Sequence, residues 1–359
     1  MNKYTDNTFC TAPMLDLSDD HCRFFWRLLT KKSMLYTEMV TTGAVIYSKK
    51  DYLLFNESES PLALQLGGSN PGDLAFCAKK AEKYNYQEIN LNVGCPSDRV
   101  QNGGFGASLM ANPQLVADCV KSMMDAVSIP VSVKCRIGID ELDSYEYLQN
   151  FIETVSACGC DLFIIHARKA WLQGLSPREN RDIPPLKYES VYQIKKDFPQ
   201  LNIVINGGID SIDACKEHLK HVDGVMLGRT VYDQPYILAD VDREIYGDEN
   251  ASAVTREEVM EQIIRYAEEY VSKGGKLSNI TRHILGLYFG CPGARTFRRI
   301  LSQDAILKGA GVECIKKALN SMHQAAADNE EHERMYLANL QKSEEFFCYG
   351  SIKYLIYEI

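Results

Sequence analysis

The sequence lacks any uninterrupted apolar run that approaches the roughly 20 residues needed to cross a bilayer. Its opening residues, M-N-K-Y-T-D-N-T-F-C, also lack the basic and then apolar pattern of a secretory signal. We therefore expect a cytoplasmic protein that makes no membrane contact.

Cysteine pairs at metal-binding spacing are missing too, although the chain has 12 cysteines. No C-x-x-C occurs, and the closest pair, Cys158 and Cys160, is separated by one glycine, which predicts core residues rather than zinc ligands. Scattered cysteines in a long cytoplasmic chain are mostly reduced thiols. We expect neither disulfides nor a metal site.

An excess of positive charge is absent as well. The 39 Lys and Arg residues face 48 Asp and Glu residues, which gives a net charge of −9. This balance argues against DNA and other indiscriminate polyanion binding but permits a local basic face. The 359 residues, 45% hydrophobic, suffice for one large soluble domain and a smaller companion, and we expect a monomer.

Eight short apolar or β-branched runs recur up to about residue 240, and each precedes a helix-like stretch. This alternation predicts a parallel sheet, and the span fits a closed (β/α)₈ TIM barrel, which needs about 250 residues. An open doubly wound sheet is the alternative, but no G-x-G-x-x-G follows the first strand. The predicted strands are residues 9–12, 35–39, 62–66, 88–92, 131–135, 162–166, 202–205 and 224–227.

Strand signals cease after Gly247, so we expect residues 1–245 to form the barrel and residues 246–345 to form an all-helical domain. Thr255 followed by Glu258 predicts a capping box that opens a helix reaching about Lys273. Residues 346–359 form an aromatic, β-prone tail to which we assign no role.

Two glycine-containing strand ends predict a phosphate site. In this fold the active site lies at the C-terminal ends of the strands, and the loops after strands 7 and 8 commonly hold phosphate. Asn206-Gly207-Gly208 and Gly228-Arg229 occupy those two positions, where glycine lets backbone N–H groups approach an anion. A phosphorylated cofactor or substrate is implied.

Lys134 ends an apolar strand at the same mouth. Its ammonium suits a flavin, whose reduced anionic ring it would stabilise, and Gln65 and His166 would hydrogen-bond to the rest of the ring system. A lysine in this place also suits Schiff-base chemistry, so Lys134 alone leaves both readings open.

Cys95 lies between Gly94 and Pro96, three residues past a predicted strand end. A cysteine on a loop over the barrel mouth has little to pack against, which favours a chemical role. The glycines at 103, 104 and 106 let the following segment approach a ligand.

Several segments together resemble the tRNA-dihydrouridine synthases, in order and with matching spacing, from about residue 12 to about residue 325. They are N-L-N-V-G-C-P-S (90–97), V-K-C-R-I-G (133–138), H-A-R-K-A-W (166–171), N-G-G-I (206–209) and L-G-R (227–229). Four more resemble the A subfamily, which acts on positions 20 and 20a of the tRNA D-loop: G-L-S-P (174–177), N-R-D-I-P-P-L (180–186), R-H (282–283) and G-C-P-G-A-R (290–295).

The resemblance implies an FMN-containing barrel whose helical C-terminal domain helps to hold tRNA. NADPH would reduce the flavin, reduced FMN would deliver hydride to C6 of uridine, and Cys95 would protonate C5. The flavin ring region would contact Pro13, Met14, Gln65, Lys134 and His166. Its phosphate would contact Asn206, Gly208, Gly228 and Arg229, and the uracil would contact Asn92, Arg168 and Arg136.

A basic cluster fits an RNA substrate despite the net acidity. Between residues 276 and 317 eight Lys and Arg residues, among them Arg282, Arg295, Arg298 and Arg299, face only Asp304 and Glu313. We expect this face to bind RNA phosphates and Lys169, next to Arg168, to extend it on the barrel rim. The target base must be turned out of its stack to be reached.

Three alternatives remain at this stage. The same barrel suits a flavin-dependent reductase of a free pyrimidine or small enone, which would not need the basic cluster. A lyase or aldolase would use Lys134 as a Schiff-base nucleophile. A non-catalytic RNA-binding protein would not need Cys95 and Lys134.

Overall fold

A computed structural model describes residues 6–329, 331, 334 and 335 of the chain. The chain divides into two compact units, of which the first ends at Met260 and the second begins at Glu261. The first unit thus runs past residue 245, where we expect the barrel domain to end. Residues 346–359, the predicted tail, lie outside the described part of the chain.

All eight predicted strands are present, and each begins at the predicted residue. The observed ends differ from the predicted ones by no more than two residues. The strands are β1 (Phe9–Thr11), β2 (Leu35–Thr41), β3 (Leu62–Gly67), β4 (Glu88–Val93), β5 (Val131–Arg136), β6 (Leu162–His166), β7 (Asn202–Asn206) and β8 (Gly224–Leu227).

The strands form a closed barrel, which confirms the predicted fold class. They are parallel and follow the order β1-β8-β7-β6-β5-β4-β3-β2. Met34, directly before β2, closes the ring because its carbonyl accepts a 3.0 Å hydrogen bond from Thr11 N. Closure brings all eight C-terminal strand ends to one mouth.

Helices follow the strands and carry ordinary capping signals. The predicted capping box is confirmed, since Thr255 N donates to Glu258 Oε2 at 2.8 Å and Glu258 N donates to Thr255 Oγ1 at 3.2 Å. In the first unit the helices are α1 (Asp20–Leu29), α2 (Thr42–Tyr47), α3 (Pro71–Glu82), α4 (Asp98–Asn102), α5 (Pro113–Ala126), α6 (Tyr145–Ser156), α7 (Glu179–Asp182), α8 (Tyr188–Asp197), α9 (Ile212–His218), α10 (Arg229–Asp233) and α11 (Val241–Glu244). Short 3₁₀ helices cover Glu57–Glu59, Gly106–Ala111 and Pro235–Asp240.

The second unit is built from helices joined by turns, as far as its residues are described. The boundary between the units falls inside α12 (Arg256–Ser272), which is followed by α13 (Leu277–Thr281), α14 (Ala294–Asp304) and a helical stretch over residues 313–329. No described helix of the chain combines the length and apolar character that a membrane span requires.

Strand β4 shows how the sequence positions the site. Side chains alternate between the two faces of a strand, so Glu88, Asn90 and Asn92 share one face while the intervening apolar residues share the other. All three polar residues are buried, and Asn92 pairs in register with Lys134 of the neighbouring β5. A column of polar groups therefore runs up the inside of the barrel to its mouth.

Candidate active site

Gln65 and Asn92 lie side by side at the mouth. The Asn92 side-chain amide donates to Gln65 Oε1 at 2.8 Å, and Gln65 Nε2 donates to Asn90 Oδ1 at 2.7 Å. Below them, Asn90 Nδ2 donates to Ser132 Oγ at 2.7 Å, and Ser132 Oγ donates to Glu88 Oε1 at 2.5 Å. The amides at the mouth are thus fixed from beneath.

Asn92 also holds the loop that carries Cys95. Its Oδ1 accepts hydrogen bonds from Gly94 N at 3.2 Å and from Cys95 N at 3.0 Å. The Cys95 thiol is partly buried, and its Sγ lies 3.5 Å from Ser97 Oγ. The thiol therefore sits on an ordered turn at the edge of the mouth.

Gly106 packs directly against that turn. Its φ is +75°, and a Cβ there would lie 2.6 Å from the Cys95 carbonyl oxygen, so only glycine fits. The Cys95 carbonyl accepts a hydrogen bond from Ala107 N at 2.9 Å. The glycine-rich segment after the loop thus brings backbone against the thiol-bearing turn.

Lys134 reaches across the mouth to the glycine-containing end of β7. Its Nζ donates to Asn206 Oδ1 at 3.0 Å, and Asn206 Nδ2 donates to Met226 O at 2.8 Å. Burial, reinforced by the positive charge of Arg136, lowers the Lys134 pKa from 10.5 to about 8. The amine is therefore easily switched between its charged and neutral forms near physiological pH.

His166 lies between the two neighbouring strand ends, in register with Arg136 and Asn206. Burial first, and then the charges of Arg136 and Lys134, hold its pKa well below the usual range. The imidazole is therefore neutral at pH 7 and offers one donor and one acceptor.

The loops after β7 and β8 form a cavity of about 220 Å³. Gly207 has φ +117°, and a Cβ there would lie 2.6 Å from His166 Cδ2, while Gly208 has φ +70° and a Cβ there would lie 2.9 Å from the Tyr188 hydroxyl. A shallow space with backbone at its wall suits a phosphate group. The cavity is lined by Asn206, Gly207, Gly208, Ile209, Met226, Leu227, Gly228, Arg229, Thr230, Asp233 and Gln234.

The loop after β1 contains Pro13 and Met14, and Met14 lies near Gly228 at the wall of this cavity. A Cβ at Gly228 would lie 3.6 Å from Met14 Sδ, which shows how closely the two loops approach. Met14 N donates to Ser18 Oγ at 2.9 Å, and Asp16 N donates to Glu38 Oε1 at 2.5 Å. The loop after β1 is therefore held in place, and it lies beside the loop after β8.

Arg136 is only 3% exposed, and its guanidinium donates hydrogen bonds to backbone carbonyls. Its Nε donates to Gly94 O at 2.9 Å, and its Nη1 donates to Lys169 O and Asn180 O, each at 3.0 Å. Burial lowers its pKa to about 10. These donors are committed to loop carbonyls, so the contact of Arg136 with uracil stays a prediction.

Arg168 and Lys169 follow β6, and their side chains have different kinds of partner. Arg168 Nη1 donates to the carbonyls of Asp182 and Pro184, whereas no acceptor among the described residues reaches its buried Nε. Lys169 Nζ lies 3.1 Å from Asp143 Oδ2 and 4.0 Å from the centre of the Trp171 ring. The contacts of Arg168 with uracil and of Lys169 with RNA therefore stay predictions.

Three further residues near the site lie outside the strand ends and were not predicted from them. Arg181 interacts electrostatically with Arg229 and with Cys95, and burial lowers its pKa. Asp182 pairs with Arg229, and the Tyr188 hydroxyl donates to Gly207 O at 2.8 Å. A cluster of charges at 178–182 is the sequence signal for the first two, but nothing in the sequence marks Tyr188.

The second unit presents arginines on α14. The helix buries Ala294, Phe297, Ile300 and Leu301 and exposes Arg295, Arg298 and Arg299. These three arginines form no ion pair with any carboxylate of the described residues, whereas Lys316 pairs with Glu313 and Lys317 with Asp304. Arg282 is also exposed, and its Nε lies 3.0 Å from His283 Nε2.

Comparison with known proteins agrees with this geometry. Residues 10–326 match the family model described as dihydrouridine synthase (Dus). The chain is 59% identical over 321 residues to the tRNA-dihydrouridine(20/20a) synthase of Shewanella oneidensis, which covers 89% of this chain and 96% of that relative. It is 61% identical over 314 residues to the protein of the same name from Escherichia coli K12, with 87% and 90% covered.

A third relative of that name, from Salmonella typhimurium, is 61% identical over 312 residues, which cover 87% of this chain and 94% of the relative. The matches span the barrel strands, the cavity and the arginines of α14 alike. The chain therefore belongs to the dihydrouridine synthase family.

Proposed function

We propose that this chain is an FMN-dependent tRNA-dihydrouridine synthase that reduces the C5–C6 double bond of uridine at positions 20 and 20a, with NADPH as reductant. The observation that carries the proposal is the meeting of three features at one mouth: the Cys95 thiol, Lys134 and the glycine-lined cavity. The names of its relatives supply the substrate.

The residues present fit FMN. Gly207, Gly208 and Gly228 line the cavity with backbone, and at Gly207 and Gly208 a Cβ would clash with neighbouring side chains, while Arg229 provides the countercharge for a phosphate. Lys134, mostly buried and linked to Asn206, would face the electron-rich edge of the ring, and Gln65, His166, Pro13 and Met14 would border it. When bound, reduced FMN would supply the hydride that adds to C6 of uracil.

Cys95 would supply the proton. Addition at C6 builds negative charge towards C5 and O4, so an acid must stand within reach of C5. A cysteine thiol is mostly protonated at neutral pH and suits this role. Asn92 fixes the backbone of the turn, while Arg168 and Arg181 would orient the uracil.

The second unit would hold the tRNA. An exposed arginine row on α14 neutralises phosphates locally, even though the whole chain has a net charge of −9. This row favours RNA over a free pyrimidine or small enone, which needs no basic surface. The domain roles are accordingly catalysis in the barrel and RNA binding in the helical part.

The proposal is tested anaerobically. The flavin of the purified protein is reduced with NADPH, and its reoxidation is followed after adding unmodified tRNA or free uracil. Rapid reoxidation by tRNA alone is expected. Preference for the free base would replace the proposal by a small-molecule reductase, and the absence of a flavin spectrum would replace it by lysine chemistry.

Replacing Cys95 should separate the two half-reactions. Cys95→Ala should retain FMN and NADPH oxidation but lower dihydrouridine formation at least about 100-fold, because the proton donor is lost. Product is measured by mass spectrometry of digested tRNA. Cys158→Ala, which also removes a partly buried cysteine, is the matched control and should behave as the wild type. Unchanged product yield in Cys95→Ala would refute the assignment.

Lys134 should impose a pH dependence on the bound flavin. Its pKa of about 8 means that it is charged below that pH and loses its charge above it. Because anionic reduced flavin favours the ammonium, reduction above pH 8 should take up a second proton. The midpoint potential should then fall roughly twice as steeply with pH as it does below pH 8.

Spectroelectrochemical titration measures this slope. Lys134→Met should lower the potential and remove the change of slope near pH 8. Lys187→Met, at a more exposed lysine of the same barrel, should keep the wild-type profile. A wild-type slope that is constant across pH 8 would contradict the proposed placement of Lys134 beside the flavin.

The α14 arginines should set the salt dependence of tRNA binding. Replacing Arg295, Arg298 and Arg299 with Ala should weaken binding and reduce the slope of log K against log salt by about 2 to 3, since each lost phosphate contact removes about 0.7–0.9. The control is Lys316→Ala with Lys317→Ala, whose side chains are paired with carboxylates. An unaltered slope in the arginine triple variant would remove α14 from the interface.

A further inference from the structure

The arginine expected to bind the flavin phosphate already has an anionic partner. Arg229 Nη1 lies 2.6 Å from Asp182 Oδ1, and the two side chains are 48% and 46% exposed. Arg229 Nη2 also lies 3.5 Å from Arg181 O. A phosphate entering the glycine-lined cavity therefore meets a guanidinium that already donates through Nη1 to a carboxylate.

The backbone around Asp182 is held in place, so its carboxylate stays within reach of Arg229. Arg168 Nη1 donates to the carbonyls of Asp182 and Pro184, and Ile183 N donates to Glu179 O at 2.8 Å. Two residues earlier, Asn180 O accepts from the buried Arg136. The carboxylate and an incoming phosphate must then compete for the same guanidinium at short range.

We propose that Asp182 is a built-in competitor of the FMN phosphate for Arg229, and that it sets how tightly the phosphate end of the cofactor is held. The inference rests on the proposed FMN function and adds a residue that determines affinity. Phosphate binding exchanges one ion pair for another: Arg229 releases Asp182 Oδ1 and binds phosphate oxygen.

The competition predicts a difference between two flavins. FMN carries the phosphate and riboflavin does not, so both are titrated into the flavin-free protein and followed by flavin fluorescence. Asp182→Asn should bind FMN about two- to fivefold more tightly than the wild type, in the range of an exposed ion pair, and should bind riboflavin equally well. Asp182→Ser should act in the same direction.

Asp233→Asn separates competition from a general loss of negative charge, because Asp233 lines the same cavity. It should change the FMN affinity by less than Asp182→Asn does. In a protein that carries Arg229→Gln, FMN binding should be weaker, and adding Asp182→Asn should have no further effect.

The inference is overturned if Asp182→Asn binds FMN no more tightly than the wild type, if riboflavin tightens equally, or if Asp233→Asn matches the effect. It also fails if the effect of Asp182→Asn survives in Arg229→Gln. A wild type that binds neither flavin would overturn the proposed function itself, which distinguishes the two failures.

Discussion

The geometry of the mouth depends on one buried guanidinium. Arg136 stands at the end of β5 and donates to carbonyls from three separate segments, at Gly94, Lys169 and Asn180. The first segment carries Cys95, the second carries Arg168, and the third leads to Arg181 and Asp182. A lysine could not make these contacts together, because only the planar fork of arginine presents several donors in fixed directions.

Several cations lie around Arg136 at the barrel mouth, although the protein is acidic overall. Lys134, Arg136, Arg168, Arg181 and Arg229 all border the mouth. Burial, followed by their mutual repulsion, depresses the pKa values of Lys134, Arg136 and His166. A bound negative group would relieve this repulsion between the cations. The basic site and the acidic net charge are therefore compatible, because the charge of a site is set locally.

Much of the fold could be predicted, because its signals are local. A β-branched run indicates where a strand begins, and the glycines at 207 and 208 mark positions where backbone must approach a neighbour. Strand ends were less certain, since neighbouring strands decide where pairing stops. Asn206 lines the glycine-lined cavity, but its bond to Lys134 depends on the curvature of the closed barrel.

Other features of the site could not be predicted from residue types. The role of Arg136 was beyond prediction because its acceptors are main-chain carbonyls, which every residue carries. The composition of the second unit suggests an even basic face, yet Lys316 and Lys317 are paired with Glu313 and Asp304. Arg295, Arg298 and Arg299 of α14, by contrast, pair with no carboxylate of the described residues.

The hydrogen bonds in the column of polar groups inside the barrel all point in one direction. From Asn92 through Gln65, Asn90 and Ser132 to Glu88, every link is donated downward, and the column ends on a carboxylate that can only accept. Reversing any one amide would set two donors or two acceptors against each other. The anion at the base of the barrel therefore dictates, over about 13 Å of strand, that Asn92 offers its oxygen to the Cys95 turn.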